Sequence, residues 1–221
     1  MTRIILVDDQ ELLRMGFRLV LDSQPDLQVV AEAADGRDAI ALVTEHEPDI
    51  VLMDVRMPHV DGVAATREII ASGSASRIII LTTFDLDEYA YAALRAGASG
   101  FLLKDAPPAD LLSAIRAVAS GDAVVAPSTT RRLLETVAHQ LPDPAQDGRA
   151  EDGALDGLTP REREVIGAVA RGLSNAEIAA QLVLAEATVK THVGRILAKL
   201  DLRDRVQIVI FAYEHGLARP A

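Results

Sequence analysis

Along the first 120 positions, apolar residues fall into short bounded runs separated by longer amphipathic stretches. The runs at 4–7, 29–31, 50–53, 78–81 and 100–103 are too short for helices and read as strands, the third of them buried on both faces. Helical periodicity occupies 11–22, 36–46, 61–71, 87–96 and 108–119. In the first of these, Leu12, Leu13, Phe17, Leu19, Val20 and Leu21 make the apolar face. Strict alternation of strand and helix predicts an α/β, doubly wound, five-stranded parallel sheet with right-handed crossovers and helices on both faces. The unit closes near residue 120, an ordinary domain size.

The pattern then changes. Residues 121–157 hold one short apolar stripe, Leu133, Leu134 and Val137, which Ser128–Thr130 can cap as a helix running to about His139. From Leu141 to Gly157, Pro, Gly and acidic residues dominate, and the segment reads as a flexible linker. Residues 158–221 read as a small all-α domain of four helices. Thr159-Pro160-Arg161-Glu162 opens the first as a capping sequence, with Val165, Ile166 and Val169 inward. Ser174 or Asn175 caps a second over 176–182, and a short turn leads into a third over 186–200. Val189, Val193, Ile196, Leu197 and Leu200 form its apolar stripe, and Lys190, Thr191, His192, Gly194, Arg195 and Lys199 its opposite face. A fourth helix, 206–213, is apolar over much of its surface. Helix, short turn and helix with cations on the outer face of the second make a helix-turn-helix able to enter a major groove.

Charge separates these regions. The chain carries −11 overall, which argues against a general nucleic-acid binder. Residues 1–120 hold 10 Lys and Arg against 19 Asp and Glu, residues 121–157 hold 3 against 7, and residues 158–221 hold 9 against 7. Only the last segment tolerates a polyanion. Aromatics at 3% with no Trp leave little surface for stacking single-stranded bases. The absence of Cys excludes disulfides, thiolate chemistry and Cys-based zinc sites. No signal-like segment and no apolar run of spanning length is present, so a soluble cytoplasmic protein without membrane contact is expected.

The chemistry collects where the strands end. Asp8 and Asp9 follow the first strand, Asp54 the third, Thr82 and Thr83 the fourth, and Lys104 the fifth. Parallel strands bring all of these to one edge of the sheet, where ligands of open α/β sheets bind. Three carboxylates this close repel and raise one another's pKa unless a cation sits among them. Oxygen ligands without His or Cys point to Mg²⁺, and Lys104 and Thr82 offer what a phosphoryl group needs on its other oxygens. The set makes sense with Asp54 as a phosphoryl acceptor.

Asp8-Asp9, Asp54 with Pro58, Thr82 and Phe101-Leu102-Leu103-Lys104 resemble the receiver domain of two-component response regulators, a flavodoxin-like fold, over residues 1–120. The resemblance implies that Asp8, Asp9, Asp54 and the backbone carbonyl of Arg56 bind Mg²⁺ and that a sensor histidine kinase phosphorylates Asp54. It also implies a switch in which the Thr82 hydroxyl moves to the phosphate and the Phe101 ring follows. Asp105 departs from the family, in which Pro often follows the lysine. Leu158-Thr159-Pro160-Arg161-Glu162-Arg163-Glu164-Val165, Ser174-Asn175-Ala176-Glu177-Ile178-Ala179 and Thr188-Val189-Lys190-Thr191-His192-Val193 are similar to the LuxR-type DNA-binding domain. Together the halves resemble a NarL/FixJ-family response regulator, a transcription regulator rather than an enzyme.

That resemblance implies contacts to double-stranded promoter DNA from Thr188, Lys190, Thr191, His192, Arg195 and Lys199. It also implies a homodimer, formed on phosphorylation or DNA binding, through Val206, Ile210, Phe211 and Tyr213. Ala185 stands where a Ser or Thr usually caps the recognition helix, and Gly194 where relatives carry a longer side chain. Two other readings remain open. A Mg²⁺-dependent phosphohydrolase using Asp54 needs a second acid nearby, and Asp54-Val55-Arg56-Met57-Pro58 supplies none two residues on. A receiver that has lost phosphorylation would work as a binding module alone, with no use for the full polar set.

Overall fold

A computed structural model describes residues 1–83, 87–120, 155 and 157–218. The expected helix from Ser128 to His139 and the acidic linker, apart from Leu155 and Gly157, lie outside the described residues. The chain divides into two compact units, Met1–Asp122 and Ala123–Ala221.

In the first unit, β1 (Thr2–Val7), α1 (Glu11–Asp22), β2 (Leu27–Ala33), α2 (Gly36–His46), β3 (Ile50–Asp54), α3 (Gly62–Ala71), β4 (Arg77–Thr82), α4 (Asp87–Arg95), β5 (Gly100–Leu103) and α5 (Pro108–Ala119) follow one another. All five strands pair in parallel in the order β2-β1-β3-β4-β5. The doubly wound sheet of the sequence pattern is therefore the observed fold. β3 is buried at every position from Ile50 to Asp54, as its unbroken apolar run requires. β2 lies at the edge, extends to Leu27–Ala33, and alternates Leu27, Val29 and Ala33 inward with an exposed Gln28.

Strand periodicity of two sorts the core into two layers. Ile4, Leu6, Ile50, Leu52, Ile79 and Leu81 pack with Leu21 of α1 and Leu111, Ile115 and Val118 of α5. Ile5, Val7, Val51, Met53, Ile78 and Ile80 are equally buried and project the other way, the side on which Ala39, Val43, Val63 and Ile69 of α2 and α3 are buried. Each buried Val, Leu, Ile or Met among them contributes about 1.5–3 kcal/mol of transfer energy. The apolar face expected of α1 is narrower than its sequence. Phe17, Val20 and Leu21 reach the core, but Leu12 and Leu19 stand 81% and 74% exposed.

The second unit contains α6 (Pro160–Ala170), α7 (Asn175–Leu182), α8 (Glu186–Leu200) and α9 (Arg205–Glu214). Thr159 and Ser174 each close a capping box with the Glu three residues on. Ala185 starts α8 with no side-chain cap, as its sequence dictates. Val165, Ile166, Val169, Ile178, Val189, Ile196, Ile208, Val209 and Tyr213 form one core. No helix among the described residues is long and apolar enough to cross a membrane.

Candidate functional site: an acidic cluster at the sheet edge and a polar helix face

The order β2-β1-β3 places the reversal of winding between β1 and β3, so a crevice opens where both strands end. Asp8 follows β1 and Asp54 is the last residue of β3. Oxygens of Asp8, Asp9 and Asp54 lie within 4.8 Å of one another. Lys104, just beyond β5, reaches in with Nζ 2.7 Å from Asp8 Oδ2 and 2.9 Å from Asp54 Oδ2. Its Nζ and the two carboxylates are almost wholly withdrawn from solvent, with side-chain exposures of 6%, 2% and 5% for Lys104, Asp8 and Asp54.

Burial pushes the Asp54 carboxyl above its ordinary pKa, and Asp8 adds to this, while the bond from Lys104 opposes both. Burial would lower Lys104, but its bonds to Asp8 and Asp54 outweigh that and hold it above the usual lysine range. One ammonium thus serves two acids, and Asp9 remains exposed. The donors are all hard oxygens, with no nitrogen or sulfur ligand among them, which fits a small divalent cation such as Mg²⁺.

The loop after β3 is fitted closely. Gly62 donates from its N–H to the Val55 carbonyl at 2.9 Å, and Gly36 from its N–H to the Val60 carbonyl at 3.1 Å. A Cβ on Gly62 would stand 2.0 Å from the Asp54 carbonyl oxygen, and one on Gly36 2.5 Å from that of Val60. The Arg56 N–H points back to Asp54 Oδ1 at 3.3 Å, and the Arg56 guanidinium lies 5.6 Å from the centre of the Tyr89 ring. Thr82 is buried beside the acids, its hydroxyl donating to the Thr83 carbonyl at 3.3 Å. Phe101, on the neighbouring strand, is 6% exposed.

The second unit offers a different surface. Glu186, Thr188, Lys190, Thr191, Gly194 and Arg195 of α8 are exposed, while Val189 and Ile196 face the core. His192 is half-buried, with Nδ1 turned inside. Lys199, assigned by the sequence to the same outward face, instead folds back: its Nζ bonds Glu162 Oε2 at 2.7 Å and the Gly157 carbonyl at 3.0 Å. Its charge is taken up holding α8 to α6. That bond, with the capping bonds from Thr159, holds the buried Glu162 at a pKa of about 2. The surplus apolar surface expected on α9 is largely consumed by the chain. Val206, Ile210 and Tyr213 are buried, and of the four dimer candidates only Phe211 is half-exposed, stacked on His215 at 4.0 Å. A helical pattern cannot distinguish a core-facing surplus from a surface one when neighbouring elements supply the cover.

Sequence reading passed over Arg205. It is buried, bonds Asn175 Oδ1 at 2.8 Å and the Leu173 carbonyl, and burial lowers its pKa to about 10. The lone cation on an otherwise apolar helix was the signal available.

Residues 4–116 match the family described as response regulator receiver domain, and residues 156–212 match bacterial regulatory proteins, luxR family. The transcriptional regulatory protein YxjL of Bacillus subtilis is 44% identical, covering 98% of this chain and 97% of its own. LiaR, a transcriptional regulatory protein of the same organism, is 37% identical over 98% of this chain and 99% of its own. Among solved structures, the response regulator ChrA of a heme-sensing two-component system superposes with a TM-score of 0.52 at 36% identity, covering 98% of both chains.

Proposed function

Because the chain belongs to the response regulators that join a receiver domain to a luxR-family DNA-binding domain, a family of transcriptional regulators in two-component systems, we propose that Asp54 receives the signal as a phosphoryl group and that α8 delivers it to promoter DNA. We assign residues 1–120 to the receiver, 121–157 to the connection and 158–221 to DNA binding. The phosphoryl donor is the phosphohistidine of a sensor kinase, and the setting is the cytoplasm. The observation that carries the reading is the buried triplet in which Lys104 bridges Asp8 and Asp54.

Asp8, Asp9, Asp54 and the main-chain carbonyl of Arg56 would hold Mg²⁺. When bound, it neutralises the oxygens of the group in transfer. An Asp54 oxygen attacks phosphorus in line, an O–P bond forms as the N–P bond breaks, and the imidazole of the donor keeps the electron pair. Lys104 then exchanges the Asp54 carboxylate for a phosphoryl oxygen. The Thr82 hydroxyl turns from the Thr83 carbonyl to another, and the Phe101 ring adjusts to the space left behind.

In the DNA-binding unit, Thr188, Lys190, Thr191, His192 and Arg195 make the groove and phosphate contacts, with Lys199 setting the angle of α8 from behind. One domain of net charge +2 touches few phosphates, so tight binding takes two copies on paired half-sites, joined through α9 at Phe211.

Acetyl phosphate with Mg²⁺ should add one phosphate to the full chain by mass spectrometry, and Asp54→Asn should abolish it. Modification that persists in Asp54→Asn overturns the assignment.

A further inference from the structure

The three acids of the cluster are not held alike. Asp8 is fixed twice, its Oδ1 accepting from the Gln10 N–H at 2.9 Å and its Oδ2 pairing with Lys104 at 2.7 Å. Asp54 is fixed by Lys104 at 2.9 Å and by the Arg56 N–H at 3.3 Å. The Asp9 carboxylate accepts no hydrogen bond and joins no ion pair among the described residues. Its place depends on the backbone that carries it.

That backbone is gripped from outside the cluster. The Asp8 carbonyl belongs to the same rigid peptide plane as the Asp9 N and Cα, so fixing that oxygen fixes the direction in which Asp9 leaves the chain. Arg14, one turn into α1, donates from Nη1 to the Asp8 carbonyl at 2.5 Å, with its side chain only 16% exposed. Among the described residues, this is the only side-chain bond to that carbonyl.

The guanidinium is itself anchored. Arg14 Nε lies 3.5 Å from Glu32 Oε2 on β2, and Arg18 Nη1 binds the other oxygen of Glu32 at 2.5 Å. Glu32 balances the charge of Arg14, so a cation near Asp9 meets an oriented donor and its counter-ion together rather than an uncompensated positive charge.

We infer that Arg14 is a positioning residue for the divalent-cation site: it holds the Asp8–Asp9 peptide so that the Asp9 carboxylate converges with those of Asp8 and Asp54. The inference rests on the reading of these acids as a cation site, and it makes Arg14 part of the phosphorylation machinery without contact to the cation or the phosphoryl group. Outer-shell groups of this kind typically set cation affinity by 10–100-fold.

The sign of the effect distinguishes positioning from charge. A cation near three carboxylates repels Mg²⁺, so removing Arg14 would tighten binding if charge were its whole contribution. Positioning requires the opposite. Affinity is measured on the full chain with the metal alone: free Mn²⁺ is counted by electron paramagnetic resonance, and Mg²⁺ is the competitor.

Arg14→Met should weaken Mg²⁺ about 10-fold. Arg14→Lys keeps the charge and one donor and should recover part of the loss. Glu32→Gln loosens the anchor and should fall between. Val20→Ala loosens the packing of α1 on the core without removing a bond to Glu32 or to the Asp8 carbonyl, and should leave affinity unchanged, which a general loss of α1 packing would not. Affinity that is unchanged or tighter in Arg14→Met, with a saturable site in the wild type, overturns the role of Arg14 alone. A wild-type chain with no saturable site overturns the cation reading and this inference together.

Discussion

Val183 ends α7 in the left-handed region at φ 53°, where its β-branched side chain stands 90% exposed, so little burial offsets the strain. That conformation costs an L-residue roughly 1–2 kcal/mol, and glycine escapes it at a smaller entropic loss. Val183→Gly should stabilise the second unit by about 0.5–1 kcal/mol, read as a higher midpoint in thermal unfolding. No gain would mean that Val183 has a contact in solution. Legibility from sequence differs between residues for physical reasons. Asp8, Asp54 and Lys104 were legible because each sits at a strand end, and parallel strands bring their ends together. The fate of Lys199 was not, since its partner Glu162 is 37 residues away and a helical stripe does not say where a long side chain bends. Arg14 gave no signal at all, because its acceptor is a main-chain carbonyl.

At the scale of elements, Thr159-Pro160-Arg161-Glu162 marks the start of α6 in the sequence, the choice of Ser174 or Asn175 as the cap of α7 falls to Ser174, and the apolar stripe places Val189 and Ile196 correctly on the inner face of α8. The same method overfills α1, where Leu12 and Leu19 remain exposed. Periodicity records which residues could be buried, and the width of the neighbouring sheet decides which are. The exposed face of α8 carries the DNA prediction. Lys190→Ala should weaken promoter binding and lower the dependence of log affinity on log salt by about one unit, as loss of one phosphate contact requires. Equal affinity and equal slope in a salt series of gel-shift measurements would remove α8 as the reading element.

At the scale of the whole molecule, the two core clusters of the described residues have no residue in common and lie one in each unit, so each unit should give its own transition in calorimetry. Acid should act on the second through a known pair. The Glu162 pKa is about 2 in the fold against an ordinary 4.5, so the stability this residue supplies is complete above pH 4.5 and lost as pH falls toward 2. Lys199→Met should therefore lower the second transition at neutral pH and leave the first unmoved. The gap between variant and wild type should close as pH drops through that window, and a gap independent of pH would show that Lys199 contributes by packing alone. Division of the chain into a sheet unit and a helical unit was legible from its hydrophobic periods, whereas the pairing of Glu162 with Lys199 was not. Position 62 has a different kind of consequence. The backbone at Asp54 runs against Gly62 with no room for a methyl group, and glycine has no smaller substitute. Inheritance can alter this loop by small steps at its exposed residues, but every heritable change at 62 is a large one. In the space of sequences open to its descendants, the residue is a wall rather than a slope.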